Sequence, residues 1–194
     1  MKKAVGFVSI VVLVFFSIGY FASFLITEEH IHIPETNIIR DAQEGGLYLT
    51  MVYFGSSFCQ ASNNKNNHEA IKDIKDSLRV FANSRDLSLI TRGISLDNIS
   101  DHGTSYINKS GPYDEVISGL GMYNTGLNEY VWNKDYSFPA TPQILIFKTR
   151  YLFQTGSDEN ILNISKEDSL IERIIGANEI QVLSNSFSEI IYFE

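Results

Sequence analysis

From Ala4 to Ile26 the chain runs for 23 residues without a charge, interrupted only by Ser9, Ser17 and Ser23. About 20 such residues cross the hydrocarbon core of a bilayer as a helix, the form that satisfies every backbone polar group within the segment. Lys2 and Lys3 precede the run and Glu28 and Glu29 follow it. Positive residues stay cytoplasmic, so the remainder of the chain is expected on the outer side of a cell membrane, held by a single-pass signal-anchor. The rival is a cleaved signal peptide, for which Ser17-Ile18-Gly19 offers a weak small-x-small site. The apolar run continues past that site through Phe21, Phe24, Leu25 and Ile26, which favours the uncleaved transmembrane anchor. A buried core helix is the third alternative. Either of the first two exports the domain. Residues 1–26 are thus expected to be the anchor, 27–35 a tether and 36–194 one domain.

The charge excludes some partners. The 194 residues hold 15 Lys plus Arg and 23 Asp plus Glu, and removing Lys2 and Lys3 leaves 13 bases against 23 acids in residues 27–194, a net of −10. So acidic a body repels phosphate backbones, and no nucleic-acid partner is expected. At 44% apolar and 20% charged, the composition is that of a globular domain. The one cysteine, Cys59, permits no intramolecular disulfide and no cysteine-built zinc site. No metal and no cofactor is expected.

Periodicity gives an α/β order. A helix over 37–44, capped by Thr36, would end at Gly45-Gly46. Residues 47–54 are apolar, aromatic and β-branched with little alternation, as in a strand buried on both faces of a parallel or mixed sheet. After the turn Gly55-Ser56-Ser57-Phe58, a helix is expected from Cys59 to about Asn83, on the face made by Ile71, Ile74, Leu78 and Phe81. A second strand spans 87–96, a short helix lies near 114–120, and a third strand spans 143–148 with 151–154 pairing beside it. Residues 158–166 read as a surface insertion and 170–175 as an edge strand closed by Gly176. Ile180, Leu183, Phe187, Ile190 and Ile191 mark a final amphipathic helix. Alternation of strands and helices implies a mixed β-sheet flanked by helices on both faces.

Two segments resemble one family. Val52-Tyr53-Phe54-Gly55-Ser56-Ser57-Phe58-Cys59-Gln60-Ala61-Ser62 is similar to the thioredoxin active-site segment, in which a buried strand leads through an aromatic to a Cys-x-x-Cys that opens a long helix. Ala140-Thr141-Pro142-Gln143-Ile144-Leu145-Ile146-Phe147-Lys148 resembles the family's Thr-Pro strand, whose proline is cis, and Ile174-Ile175-Gly176 before a helix is similar to its last strand and helix. The resemblance covers residues 36–194 and implies a thioredoxin-like fold of the thioredoxin-like superfamily. Three departures stand out. The second cysteine falls on Ser62, the aromatic before the nucleophile is Phe58 rather than Trp, and the buried acid six residues before the first cysteine falls on Tyr53.

These residues bound the chemistry. A thiolate at a helix N-terminus is stabilised by unpaired N–H groups and by the helix dipole, and Ser62, one turn on, is placed to donate to it. Such a thiolate attacks disulfides and forms a mixed disulfide. Without a cysteine at position 62 the chain cannot resolve that adduct, so a dithiol reductase cycle is excluded and monothiol exchange or capture of a cysteine-containing client remains. The resemblance further implies that Pro142 faces Cys59 and that the Thr141 backbone, with Phe58, docks the client strand. Two alternatives stay open: Cys59 as a small buried hydrophobe, and the whole domain as a redox-inactive binding or accessory module at the membrane surface.

Other signals carry less. His30 and His32 make a two-imidazole pair without a third ligand in the expected tether. His68, nine residues past Cys59 on the expected helix, lies too far along it to be the thiol's base. His102 sits in an unassigned loop, and the stretch from Asp97 to Asp101 lacks a calcium loop's glutamate, since Asn108 stands at its twelfth position. Asn98, Asn108 and Asn163 open glycosylation sequons. Tyr106, Tyr113, Tyr123, Tyr130, Trp132, Tyr136 and Phe138 are expected to supply core and lid packing, or else a partner surface near the active-site edge.

Overall fold

The structure, a computed structural model, describes residues 46–132, 134, 140–155 and 161–190. The chain divides into two units, Met1–Asp41 and Ala42–Glu194, and every described residue belongs to the second. The expected anchor, tether and helix over 37–44, with His30, His32, Tyr136 and Phe138, lie outside the described residues. Among the described residues, no helix is long and apolar enough to cross a membrane.

The sheet is built around β1 (Leu47–Gly55), which is buried almost throughout, as its uninterrupted apolar run requires. On one side β1 pairs in parallel with β2 (Ser88–Ser95), which pairs in parallel with β3 (Glu115–Ile117). On the other it pairs antiparallel with β4 (Gln143–Thr155), which pairs antiparallel with β5 (Ile161–Ile175). The strand order is therefore β3-β2-β1-β4-β5. Helix α1 (Lys65–Ser84) makes the β1–β2 crossover, α2 (Ser100–Ile107) follows β2, and α3 (Ala177–Ile190) follows β5.

Side-chain alternation sends β1 into two cores. Leu49, Met51 and Tyr53 join Ile71, Ile74 and Leu78 of α1, Tyr106 and Ile107 of α2, Ile144 and Ile146 of β4, and Ile180 and Leu183 of α3. Val52 and Phe54 join Ile94, Leu145 and Phe147 on the opposite face, covered by Leu127, Tyr130 and Val131 of the helical segment 125–132. The aromatic stretch divides accordingly: Tyr106 and Tyr130 are buried, while Tyr123 and Trp132 are exposed.

Four element expectations are corrected. Within residues 114–120, Glu115–Ile117 forms the edge strand β3 and no helix forms, because these residues pair with Arg92, Gly93 and Ile94, and Arg92 Nε meets Glu115 Oε2 at 2.6 Å. Strand β4 continues unbroken where two pairing pieces were expected. Of the stretch read as an insertion, residues 161–166 form the start of β5 and pair with β4, while residues 158–160 lie outside the described residues. The fourth correction concerns Cys59 itself.

Candidate functional site

Cys59 does not open α1. The helix begins six residues later at Lys65, where Asn64 takes the cap position and its side chain accepts the Asn66 N–H at 3.0 Å. Between them the chain makes a turn closed by Asn63 N–H donating to Cys59 O at 2.9 Å. The run Ser62-Asn63-Asn64 explains the difference, because short polar side chains offer the backbone alternatives to helical bonds and favour caps and turns. His68 is accordingly on a different element from the thiol, and the axial spacing inferred for the pair does not apply. Its imidazole is buried edge-on against the Tyr106 ring at 5.3 Å with neither nitrogen partnered, and burial, then Lys109, holds it below its ordinary pKa.

The thiol sits half-buried between the turn and the start of β4. Cys59 N–H donates to Ser56 O at 3.2 Å, and Sγ donates to Thr141 O at 3.4 Å. The Thr141–Pro142 peptide bond is cis, the form the resemblance implies, and Pro142 O accepts Gly176 N–H at 2.8 Å. Phe58 projects from the turn, 79% exposed. Ser62 is fully buried, and its Oγ has no hydrogen-bond partner. Burial pushes the thiol up, but the nearby Ser62 and Thr141 side chains and the Ser62 and Ala61 backbone outweigh it, so the Cys59 pKa lies below its ordinary value. Local donors, rather than the dipole of α1, make the thiolate favourable.

Beneath the turn lies a pair of phenols. Tyr53 Oη and Tyr106 Oη are 2.7 Å apart, and Tyr106 Oη donates to Ser62 O at 3.0 Å. The position where the family keeps an acid thus holds a buried tyrosine whose pKa is raised, by burial first and then by Tyr106. Burial likewise lifts Tyr106 to about 12. Neither phenol gives up a proton near neutral pH.

A carboxylate braces the turn from the other side. Asp97 is fully buried and accepts from Ser56 Oγ at 3.1 Å, Ser57 N at 3.1 Å, Ser57 Oγ at 2.8 Å and Ser95 Oγ at 2.6 Å. Its backbone carbonyl receives Gly121 N–H at 3.3 Å, tying in the loop that carries the exposed Leu120, Met122 and Tyr123. Burial raises the Asp97 pKa, and the serine donors, Ser95 first, more than reverse it, leaving the group below its ordinary value. A carboxyl depressed in the folded state stabilises the fold above its unfolded value of about 3.9, and that contribution is lost as pH falls through the folded value. Asp97→Asn is therefore expected to cost about 2 kcal/mol at neutral pH. The gap between wild type and variant should narrow in urea titrations as pH falls below the unfolded value of about 3.9; a constant gap would refute the assignment.

The structure sets the Cys59 thiol against the Thr141 carbonyl, with Pro142 next in the chain and Phe58 exposed on the turn, whereas the Ser62 hydroxyl is buried and makes no hydrogen bond to either. Sequence reasoning missed Tyr106 and Asp97. In the sequence Tyr106 is one of seven aromatics in a single stretch, and Asp97 opens a calcium-like turn; neither position signals the contact it makes with the thiol turn. Among the described residues, no group of three or more His, Cys, Asp or Glu is placed to hold a metal ion.

A parallel β-α-β unit (β1, α1, β2) and an antiparallel β-β-α unit (β4, β5, α3) meet where β1 pairs with β4, and a cis-proline precedes β4 beside the cysteine turn. The fold is thioredoxin-like. No family model matches the sequence, and no curated protein does. Among solved structures, the chain is similar to a thioredoxin-like protein from Parabacteroides distasonis at 13% identity and a TM-score of 0.37, over 71% of this chain and 80% of that one.

Proposed function

We propose that this protein is a monothiol, thioredoxin-like capture or exchange protein that engages client cysteines through Cys59 outside the cytoplasmic membrane, anchored by residues 4–26. The observation that carries it is the Cys59 thiol itself: half-exposed, lowered in pKa, and 3.4 Å from the carbonyl of Thr141, which precedes the cis-proline. In the step proposed, the Cys59 thiolate attacks one sulfur of a client disulfide. A Cys59–client disulfide forms, the client S–S bond breaks, and the second client sulfur leaves as a thiolate. A thiolate from the client or from a small-molecule thiol then attacks the adduct and restores Cys59, because the chain holds no second cysteine. The client backbone would lie along Thr141 and Pro142, with Phe58 against its side chains.

A second reading is favoured by the rim. Phe58, Leu120, Met122, Tyr123 and Trp132 are all exposed, and Trp132 Nε1 donates to Met122 O at 3.1 Å. An apolar surface of that kind suits a redox-inactive binding module at the membrane, for which Cys59 is dispensable.

The rate of Cys59 alkylation against pH, measured on the full membrane-inserted chain with an unfolded control, separates the two. The proposed exchange protein shows a midpoint below about 8.5 and traps a disulfide-bearing peptide, and Cys59→Ser abolishes trapping. Labelling only after unfolding overturns thiol chemistry and leaves the binding module. Loss of the chain from membranes on alkaline extraction overturns the anchor.

A further inference from the structure

We propose that Asp97 is a positioning residue for thiol exchange, setting the turn that carries Cys59 against the Thr141–Pro142 segment on which a client lies. The inference rests on Cys59 being the reactive group and adds a residue buried out of a client's reach. Asp97 is 0% exposed and stands two residues after the end of β2. Its Oδ1 accepts from Ser56 Oγ at 3.1 Å and Ser57 Oγ at 2.8 Å. Its Oδ2 accepts from Ser57 N–H at 3.1 Å and Ser95 Oγ at 2.6 Å. Three of these donors belong to the thiol turn. From Ser56 the constraint passes along the turn, since Phe58 N–H donates to Ser56 Oγ at 3.3 Å and Cys59 N–H to Ser56 O at 3.2 Å. At the far end Cys59 Sγ donates to Thr141 O at 3.4 Å. Every link from the carboxylate to the sulfur's neighbour on the client segment is a bond in the structure.

The turn needs such an anchor because α1 begins only at Lys65 and does not brace Cys59. A carboxylate accepts on both oxygens and donates nothing, which suits a point where four donors converge. Ser95 backs it from β2, and the Ser95 hydroxyl also accepts Asp97 N–H at 3.1 Å. The turn is thereby referenced to β2, while Thr141 leads directly into β4. Because β1 pairs with both strands, the sheet fixes where the nucleophile sits relative to the client segment once Asp97 holds the turn. Asparagine keeps the shape but sets an N–H donor against donors that the carboxylate accepts. A peptide laid along Thr141 and Pro142 brings its sulfur to one place and needs the thiolate there. A small disulfide meets the thiolate wherever the turn puts it. Loss of the anchor therefore separates the two reactions.

The experiment uses two disulfides that release the same thionitrobenzoate: dithiobis(nitrobenzoate), and an extended peptide whose single cysteine, flanked by apolar residues, is capped by thionitrobenzoate. With the peptide, the Cys59 thiolate attacks the peptide sulfur and a Cys59–peptide disulfide forms. The peptide–thionitrobenzoate S–S bond breaks, and thionitrobenzoate leaves as the thiolate. Rates are taken on the full chain, with urea unfolding alongside, and read as the ratio of the peptide rate to the small-disulfide rate. Asp97→Asn is expected to lower that ratio by about tenfold, through the peptide reaction. Ser57→Ala removes the 2.8 Å hydroxyl bond from the turn and leaves the carboxylate in place. It should lower the ratio by about threefold or more, and it carries the test if Asp97→Asn does not fold. Ser95→Ala is the control, since it takes the 2.6 Å donor from the same carboxylate on the β2 side and none from the turn. That variant should lose stability and keep the wild-type ratio. An unchanged ratio in Ser57→Ala, or an equal fall in Ser95→Ala, overturns the positioning role and leaves exchange by Cys59 standing. So does a wild-type ratio no greater than that of the unfolded chain, because no docked client would then be there to meet. A wild-type thiol that reacts with neither disulfide until unfolded overturns the exchange function and this inference together.

Discussion

Alanine at Gly55 is expected to destabilise the fold by about 3 kcal/mol or more, a large penalty for one methyl group. The added Cβ would lie 2.5 Å from Tyr53 Oη, 2.6 Å from Tyr106 Oη and 2.7 Å from Tyr106 Cε1. Relief by moving the backbone is blocked. Gly55 is in register with Ser95, and its carbonyl accepts Leu96 N–H at 2.9 Å. The phenols cannot retreat either, since both are buried in the core beneath α1. The methyl therefore forces the pair apart and leaves at least one buried hydroxyl without a partner. Overpacking of about 1–3 kcal/mol adds to about 1–3 kcal/mol for the orphaned group. Urea unfolding checks this, as a fall in midpoint at unchanged slope. A midpoint equal to that of wild type would mean the tyrosines repack without cost.

Removing the amine of Lys75 should produce the second large effect, visible in the pH dependence of stability. Lys75 is 3% exposed on the inner side of α1, donates to Pro112 O at 2.9 Å and stands 3.8 Å over the Tyr113 ring. Burial lowers its pKa to about 8, opposed by Asp76 and reinforced by Arg79. A base depressed in the folded state gives the unfolded chain the greater proton uptake between about pH 8 and its unfolded value of about 10.4, so stability rises with pH across that window. The full rise is worth about 3 kcal/mol, at about 1.36 kcal/mol for each pKa unit. Lys75→Met should be at least as stable as wild type at pH 7 and should lack the rise between pH 8 and 10. A rise of equal size in the variant would assign it to other groups.

Much of the scaffold was legible because burial writes itself into periodicity. The continuous apolar run of β1 and the recurrence of Ile71, Ile74 and Leu78 each follow from the packing they serve. The resemblance of the Thr-Pro before β4 and of the cysteine four residues after β1 to thioredoxin segments pointed to the thiol turn, and the fold does place Cys59 Sγ 3.4 Å from Thr141 O. The start of α1 was misplaced because periodicity reports the middle of a helix better than its end. The short polar run Ser62-Asn63-Asn64, with Asn64 as the cap, sets that boundary. Strand β3 was misread because a three-residue edge owes its conformation to Arg92–Ile94 across the sheet, a tertiary cause without a local signature. Tyr53 announced itself only as a departure from a family acid. Its partner lies 53 residues on, and the donors to the Asp97 carboxylate from the thiol turn lie 40 or 41 residues back, so neither cluster can be read from spacing.

Within the described sheet, β1 alone joins the parallel half to the antiparallel half. Its ladder to β4 matches residues 47–54 with residues 143–150. Opening that ladder leaves one free edge on each half, and each is the register-matched complement of the other. A second opened molecule offers the same two edges, so halves from different copies can reunite with every native pair intact. Reciprocal exchange of that kind yields an intertwined dimer from the monomer's own contacts, with no new interface to evolve. The central placement that shields β1 from solvent is also what makes the two halves interchangeable between molecules.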